Sequence, residues 1–282
     1  MPARYDTLPM AAVYASFIDE IEALKPGNVS RHAGGHDMTC EDFIRSAEAA
    51  TPILCRRDLG VGARILAAVE ATQAAVGCNT NLGMLLLFAP LIRAWEVAET
   101  GESLQSAVRR VLAGLDREDA EAVFAAIRAA RPGGLGQVPE HDVNSAVQVD
   151  LLTAMATAGE RDLIALQYCS DFEEIFSIGL ISLKKYKNFW KHLEWATVGC
   201  YLTFMSRFPD SHVGRKHGMA VAEDIQQRSN ILLQYFDNNN DPEALRDKLL
   251  EYDRELKNAN INPGTSADLT AASLLLYHLG VR

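Results

Sequence analysis

A chain of 282 residues with 48% apolar side chains is long enough to bury a sizeable core, as one large domain or two. Its formal net charge of −10 argues against a generic nucleic-acid or anionic-membrane binder, since such partners need a basic field. The five cysteines, Cys40, Cys55, Cys78, Cys169 and Cys200, form no Cys-x-x-Cys pair, and their odd number suits reduced thiols better than a disulfide framework. Residues 1–10 lack the basic-then-apolar layout of a signal peptide, and the longest apolar run, Met84 to Ile92, holds Pro90 and is too short to span a bilayer. The expectation is a soluble, cytoplasmic protein, with a homo-oligomer left open.

In chain order, one helical pattern follows another. Val13, Phe17, Ile18, Ile21 and Leu24 recur at three- and four-residue spacings, which predicts a helix over 9–24 with one apolar stripe. It ends at a loop-like segment, Lys25-Pro-Gly-Asn-Val-Ser-Arg-His-Ala-Gly-Gly-His-Asp-Met38, whose glycines allow sharp bends and close approach to a ligand. Lys25, Asn28, Arg31, His32, His36 and Asp37 give this loop charge, donors and acceptors; a solvated connection between helices is the plain alternative.

Thr39 with Asp42 makes an imperfect capping box before a second helix, in which Pro52 is expected either to make a kink or to sit in the first turn of the next helix. The alanine-rich segment 60–76 stops at Gly77. Gly77-Cys-Asn-Thr-Asn-Leu-Gly83 then precedes the apolar run from Met84 to Trp95. Asn79, Thr80 and Asn81 suit a helix cap, and backbone N–H groups at such a helix start can also receive an anion. No Lys-Ser/Thr follows, so this is not a Walker A loop.

Amphipathic stretches at 103–113 and 116–130 lead to Arg131-Pro-Gly-Gly-Leu-Gly-Gln-Val-Pro-Glu-His-Asp-Val-Asn-Ser145. With no strand before it, the glycine run is a connection and not a dinucleotide fingerprint. Glu140, His141, Asp142 and Asn144 stand at the entry to the next helix, where Asn144 or Ser145 can cap; the acids and His141 could hold Mg²⁺ or relay a proton, or merely favour a helix start. From 145 to 258 the helical pattern persists without a Pro/Gly/Ser-rich linker, so the expectation is one domain over 1–282. The aromatic stretch Phe189 to Phe208 reads as core or subunit interface. Asp210-Ser-His-Val-Gly-Arg-Lys-His-Gly218 puts Arg215, Lys216 and His217 beside turns, which suits phosphate. Asn262-Pro-Gly-Thr-Ser-Ala-Asp268 reads as a helix start with Thr265 or Ser266 as cap and Asp268 in the first turn.

Taken together and in order, Lys25-Pro-Gly-Asn, His36-Asp-Met38, Asn79-Thr-Asn-x-Gly83, Gly133-Gly-Leu-Gly, Asp210-Ser-His-x-x-Arg-Lys-His-Gly218 and Asn262-Pro-Gly-Thr-Ser-Ala-Asp268 resemble the triphosphoribosyl-dephospho-CoA synthase family over nearly the whole chain. The resemblance implies an all-α fold and a transferase that moves the triphosphoribosyl group of ATP to an acceptor hydroxyl and releases adenine. Those synthases carry Asn-Thr-His-Lys-Gly where this chain has Asn79-Thr80-Asn81-Leu82-Gly83, so a cation of the motif is absent. The sequence is similar to the branch found beside genes for one-carbon carrier cofactors of the methanopterin and methanofuran kind, which implies a related phosphate-ligand transferase as the alternative. A non-catalytic helical scaffold with 189–208 as its partner surface is the rival of a different class.

Displacement of adenine at the ribose anomeric carbon requires that a triphosphate be neutralised, a hydroxyl deprotonated and the leaving base stabilised. On that reaction, Lys25, Asn28, Arg31, Asn79, Thr80, Asn81, Arg215, Lys216 and Ser266 are the expected substrate-binding residues. Asp37, His36, His141 and Asp142 are the expected catalytic groups, and Asp37, Asp142 and Asp268 the expected holders of Mg²⁺. The partner is then a phosphorylated small molecule, ATP or a cofactor precursor, in a cleft at helix ends.

Overall fold

The computed structural model describes residues 7–133, 143 and 145–281. Among them are fourteen α-helices and no strand, as the 3.6-residue periodicity predicts. The chain divides into two compact units, one of residues 1–14, 44–174 and 281–282, the other of residues 15–43 and 175–280. No described helix is long and apolar enough to cross a membrane.

Helices α1 (Leu8–Glu22) and α2 (Cys40–Leu54) each contribute residues to both units. The Thr39 box forms as read: Thr39 Oγ1 accepts from Asp42 N–H at 3.3 Å, and the Asp42 carboxylate accepts from Thr39 N–H at 2.8 Å. Pro52 lies inside α2, near its C-terminal end.

The first unit contains α3 (Val61–Val76), α4 (Leu82–Val97), α5 (Leu104–Leu112), α6 (Arg117–Ala130), α7 (Leu151–Ala158) and α8 (Leu163–Cys169). Helix α4 carries the apolar run, buried from Met84 through Ile92, and packs against α3, α5 and α8. Arg64 is fully buried and satisfied: its guanidinium donates to both oxygens of Glu96, at 3.2 and 2.6 Å, and to the carbonyls of Leu54 and Leu59. Helix α7 begins at Leu151 with Asp150 as its cap, later than the Asn144 or Ser145 start that the sequence suggests.

The second unit holds α9 (Leu180–Trp190), α10 (Leu193–Arg207), α11 (Ser211–His217), α12 (Met219–Asp237), α13 (Arg246–Asn258) and α14 (Gly264–His278), with a π-helical turn at Ile175–Gly179 and a 3₁₀ turn at Pro242–Leu245. Helix α10 packs against α9, α12 and α14, and α11 against α12 and α14. Within the aromatic stretch Trp195, Tyr201 and Phe204 are core, whereas Phe189 is exposed.

The tightest approach in the first unit is that of α3 to α6. Gly62 N–H donates to Asp119 Oδ1 at 2.7 Å, and a Cβ on Gly62 would lie 2.6 Å from the Asp119 backbone. Backbone cannot yield as a flexible side chain does. The propensity gain of alanine, about 0.5–1 kcal/mol, is therefore outweighed by overpacking of about 1–3 kcal/mol. Gly62→Ala is expected to lower the urea midpoint with the slope unchanged.

Candidate functional site

The loop between α1 and α2 is fixed from beneath by a buried ion pair. Lys25 is fully buried, and its Nζ lies 2.8 Å from Glu20 Oε1, donates to Asn28 Oδ1 at 3.1 Å and to the Val29 carbonyl at 2.9 Å. Two ammonium hydrogens are thereby donated while the charge is paired with Glu20. Burial pushes the Lys25 ammonium down and the Glu20 carboxyl up, each opposed by the other's charge. The charge of Lys25, an expected substrate-binding group, is directed to the loop's inner wall.

The loop is held next by α13 and the turn after it. Gly27 N–H donates to Asp253 Oδ1 at 2.9 Å, and Asp253 Oδ2 accepts from Lys257 Nζ at 2.9 Å. Gly27 adopts φ +81°, and a Cβ there would lie 2.8 Å from Pro263 Cδ, so both conformation and space call for glycine. Asn28 Nδ2 donates to Asn262 Oδ1 at 2.8 Å, which joins the Lys-Pro-Gly-Asn and Asn-Pro-Gly-Thr motifs directly. Tyr201 O–H, from α10, donates to the Pro26 carbonyl at 2.8 Å.

At the loop's outer turn, His36 and Asp37 both have left-handed backbone, with φ of 55° and 60°. His36 Nε2 lies 2.8 Å from the Gly27 carbonyl, so it carries a proton, and Nδ1 lies 3.1 Å from the Asn260 side chain. His217 Nε2 donates to the Asn260 carbonyl at 3.0 Å. Asn260 therefore links the loop to α11. Both ring nitrogens of His36, an expected acid/base group, are engaged here. Asp37 is exposed, as is Arg31, which pairs with Glu22.

Helices α11 and α14 are joined by one buried carboxylate. Asp210 Oδ1 accepts from Val213 N–H at 3.1 Å, and Oδ2 accepts from Ser266 N–H at 2.7 Å and Ser266 O–H at 2.8 Å. Burial pushes its carboxyl up despite these donors. Ser266, an expected substrate ligand, is thus spent on Asp210, and neither Thr265 nor Ser266 caps its own helix. Because α14 begins at Gly264, the half-buried Asp268 lies one turn in and not in the first turn.

Residue His212 carries a role that the sequence reading leaves empty. Its ring packs on the start of α14, with Nδ1 3.3 Å from where a Gly264 Cβ would stand. Burial pushes this imidazole down to about 4, helped by Arg215, Lys216, His36 and His217. The only signal in the sequence is its place inside Asp-Ser-His-x-x-Arg-Lys-His-Gly. Arg215 is half-buried and Lys216 exposed on the same helix.

The second unit therefore gathers three of the motifs: the 25–38 loop, α11 and residues 260–268. Asn79, Thr80 and Asn81 belong to the first unit and are engaged there. Asn79 Oδ1 accepts from Leu82 N–H at 3.1 Å, Thr80 O–H donates to Ser46 Oγ at 2.7 Å, and Asn81 Nδ2 donates to Thr72 Oγ1 at 3.2 Å. These bonds cap and anchor the start of α4. His141, Asp142 and Asn144 lie outside the described residues.

Two expectations follow. Lys25→Met should cost about 3–5 kcal/mol in chemical denaturation, because it leaves Glu20 charged and buried; adding Glu20→Gln should return much of it. For His212, the folded value of about 4 lies below the ordinary 6.5, so the unfolded chain binds more protons between them. Its contribution is present above pH 6.5 and lost as pH falls through 4, up to about 3 kcal/mol. The stability difference between wild type and His212→Gln, followed by urea titration, should slope across that window and be flat above it.

A family model described as CitG, ATP:dephospho-CoA triphosphoribosyl transferase, matches residues 7–282. No curated protein matches the chain by sequence at a significant level. A crystal structure of an Archaeoglobus fulgidus protein, assigned as a triphosphoribosyl-dephospho-CoA synthase, is similar with a TM-score of 0.63 and 28% identity, over 84% of this chain and 99% of that chain. With the family's pattern spanning nearly the entire sequence and its fold shared with a solved structure, the chain belongs to the ATP:dephospho-CoA triphosphoribosyl transferase family.

Proposed function

We propose that the protein transfers the triphosphoribosyl group of ATP to an acceptor hydroxyl and releases adenine, and that the second unit holds the polyphosphate. The observation that carries this is the joining of the 25–38 loop, α11 and the start of α14 by His36, His217, Asn260, Asn28, Asn262 and Asp210. Such a site is rigid before substrate arrives, which is what displacement at an anomeric carbon needs. Arg215 and Lys216 neutralise the phosphates, with Arg31 at the loop's edge. Lys25, Asn28, His36 and Ser266 act through position, by fixing the backbone that presents them.

Magnesium fits this arrangement as an ion delivered with the nucleotide. No group of three or more His, Cys, Asp or Glu side chains among the described residues could cage a metal. Mg²⁺ characteristically uses one or two carboxylates and completes its shell with phosphate and water. Asp268 and Asp37 are the residues to hold it. Bound there, the ion would offset charge on the triphosphate.

The acceptor is open between dephospho-CoA and a precursor of a one-carbon carrier cofactor. Asn81 and Leu82 favour the second reading, since both are buried at the start of α4 and offer no cation where the synthase pattern has His-Lys. For a non-catalytic scaffold, the supporting observation is the exposure of Phe189 and Ile181 on α9.

Adenine release from Mg-ATP, followed chromatographically with dephospho-CoA and with furan- or pterin-type alcohols, tests the reaction. Arg215→Ala and Lys216→Ala should each weaken ATP binding about 10–100-fold, the worth of one charge-assisted hydrogen bond. The salt dependence should flatten in both variants. Unchanged binding in both would remove polyphosphate from this face.

A further inference from the structure

We infer that His212 is the general base of the transfer, taking the proton of the acceptor hydroxyl as its oxygen attacks the ribose anomeric carbon. This rests on the reaction proposed above. The 25–38 loop and α11 carry four histidines, of which His32 is paired with Glu194 at 3.3 Å. Both ring nitrogens of His36 are engaged, and His217 Nε2 is bound to the Asn260 carbonyl. The ring of His212 has no hydrogen-bond partner among the described residues, and its backbone is rigidly placed. Its N–H donates to Thr265 Oγ1 at 3.2 Å, and that oxygen lies 2.9 Å from Ser211 Oγ. A residue of fixed backbone with an unused imidazole is suited to proton abstraction.

The charges around it set when it can act. Arg215, Lys216 and His217 face it from its own helix and His36 from the loop, while Asp210 is turned to Val213 and Ser266. In this cationic, partly desolvated setting the imidazole is neutral, hence able to accept, but holds a proton poorly. A triphosphate on Arg215 and Lys216 cancels that field and strengthens the base. The base is therefore stronger with the donor in place, which favours abstraction of the acceptor proton once both are bound. In the step itself the acceptor O–H bond breaks and its proton goes to His212. The oxygen bonds to the anomeric carbon, and the ribose–N9 bond breaks with its electron pair on adenine. The imidazolium then returns its proton to the departing base or to water, so no other reactant is consumed.

The test uses the full chain with Mg-ATP and, in separate arms, dephospho-CoA or a furan- or pterin-type alcohol, adenine release being followed as a function of pH. His212→Gln should lower kcat by about 10²–10⁴-fold with KM for ATP nearly unchanged, and added imidazole should restore part of the rate to His212→Ala. Histidine NMR, with His212→Gln identifying the resonance, should show inorganic triphosphate moving the ring's titration to higher pH. Wild type that releases adenine beside a variant of equal kcat overturns this inference alone. So does a ring titration that triphosphate leaves in place, or a variant whose loss lies wholly in KM without imidazole rescue. Wild type that releases no adenine overturns the transfer reaction, and the assignment of His212 with it.

Discussion

A single buried carboxylate, Asp210, sets the geometry on which the second unit's chemistry depends. A helix start leaves backbone N–H groups unsatisfied, and the usual remedy is a side chain just before the helix itself. Asp210 does this for α11 through Val213 and simultaneously for α14 through Ser266. One group of fixed shape thus ties two helix starts that are distant in sequence. Any shift of α11 relative to α14 would strand a buried carboxylate or a buried donor, each costing about 1–3 kcal/mol or more. The cations of α11 and Asp268 of α14 are accordingly held in register by the same atoms.

The 25–38 loop relies on the same physics at larger cost. Glu20 and Lys25 are both fully buried, and Glu20 Oε2 has no hydrogen-bond donor among the described residues. Desolvation of two charges offsets much of their attraction, so the pair is weak evidence for stability and better understood as a device that fixes one conformation. Its companions act in kind. Lys25 orders Asn28, Asn28 engages Asn262, and Asn262 leads into Pro263 and the start of α14. The chain of contacts runs from the ion pair to the helix that Asp210 caps.

Much of this was open to reading in the residues, and the parts that were not have a common cause. Helices were legible because their signal is local: Val13, Phe17 and Ile21 declare a stripe, and Thr39 with Asp42 declares a start. Asn79 was legible as a cap for the same reason. What failed was the inference from residue type to free side chain. Lys25, Asn28 and Ser266 have the chemistry of substrate ligands and His36 that of an acid/base group, and residue type alone does not reveal that Glu20, Asn262, Asp210 and Asn260 engage them. Conversely, His212 looked ordinary because its character comes from the Gly264 backbone against its ring and from cations that folding gathers around it. Asp268 was placed one turn too early because the start of α14 is capped from Asp210, fifty-odd residues away, and not by its own Thr265 or Ser266.

Charge distribution supplies the remaining constraint. A chain of net charge −10 repels a polyphosphate at long range, yet the proposed site faces it with Arg215 and Lys216. These are not in conflict, because at physiological ionic strength fields decay over roughly 8 Å, so the bound state is governed by the local cluster and the net charge acts mainly on encounter. Burial is the main reason that His212 is neutral, and the local cluster adds to it. Arg215 and Lys216 thus serve two ends: they attract the triphosphate, and until it arrives they add to the effect of burial in weakening the imidazole as a base. Replacing either with a neutral residue would relax both effects together, so binding and proton abstraction on this face are coupled through the field of the same two side chains.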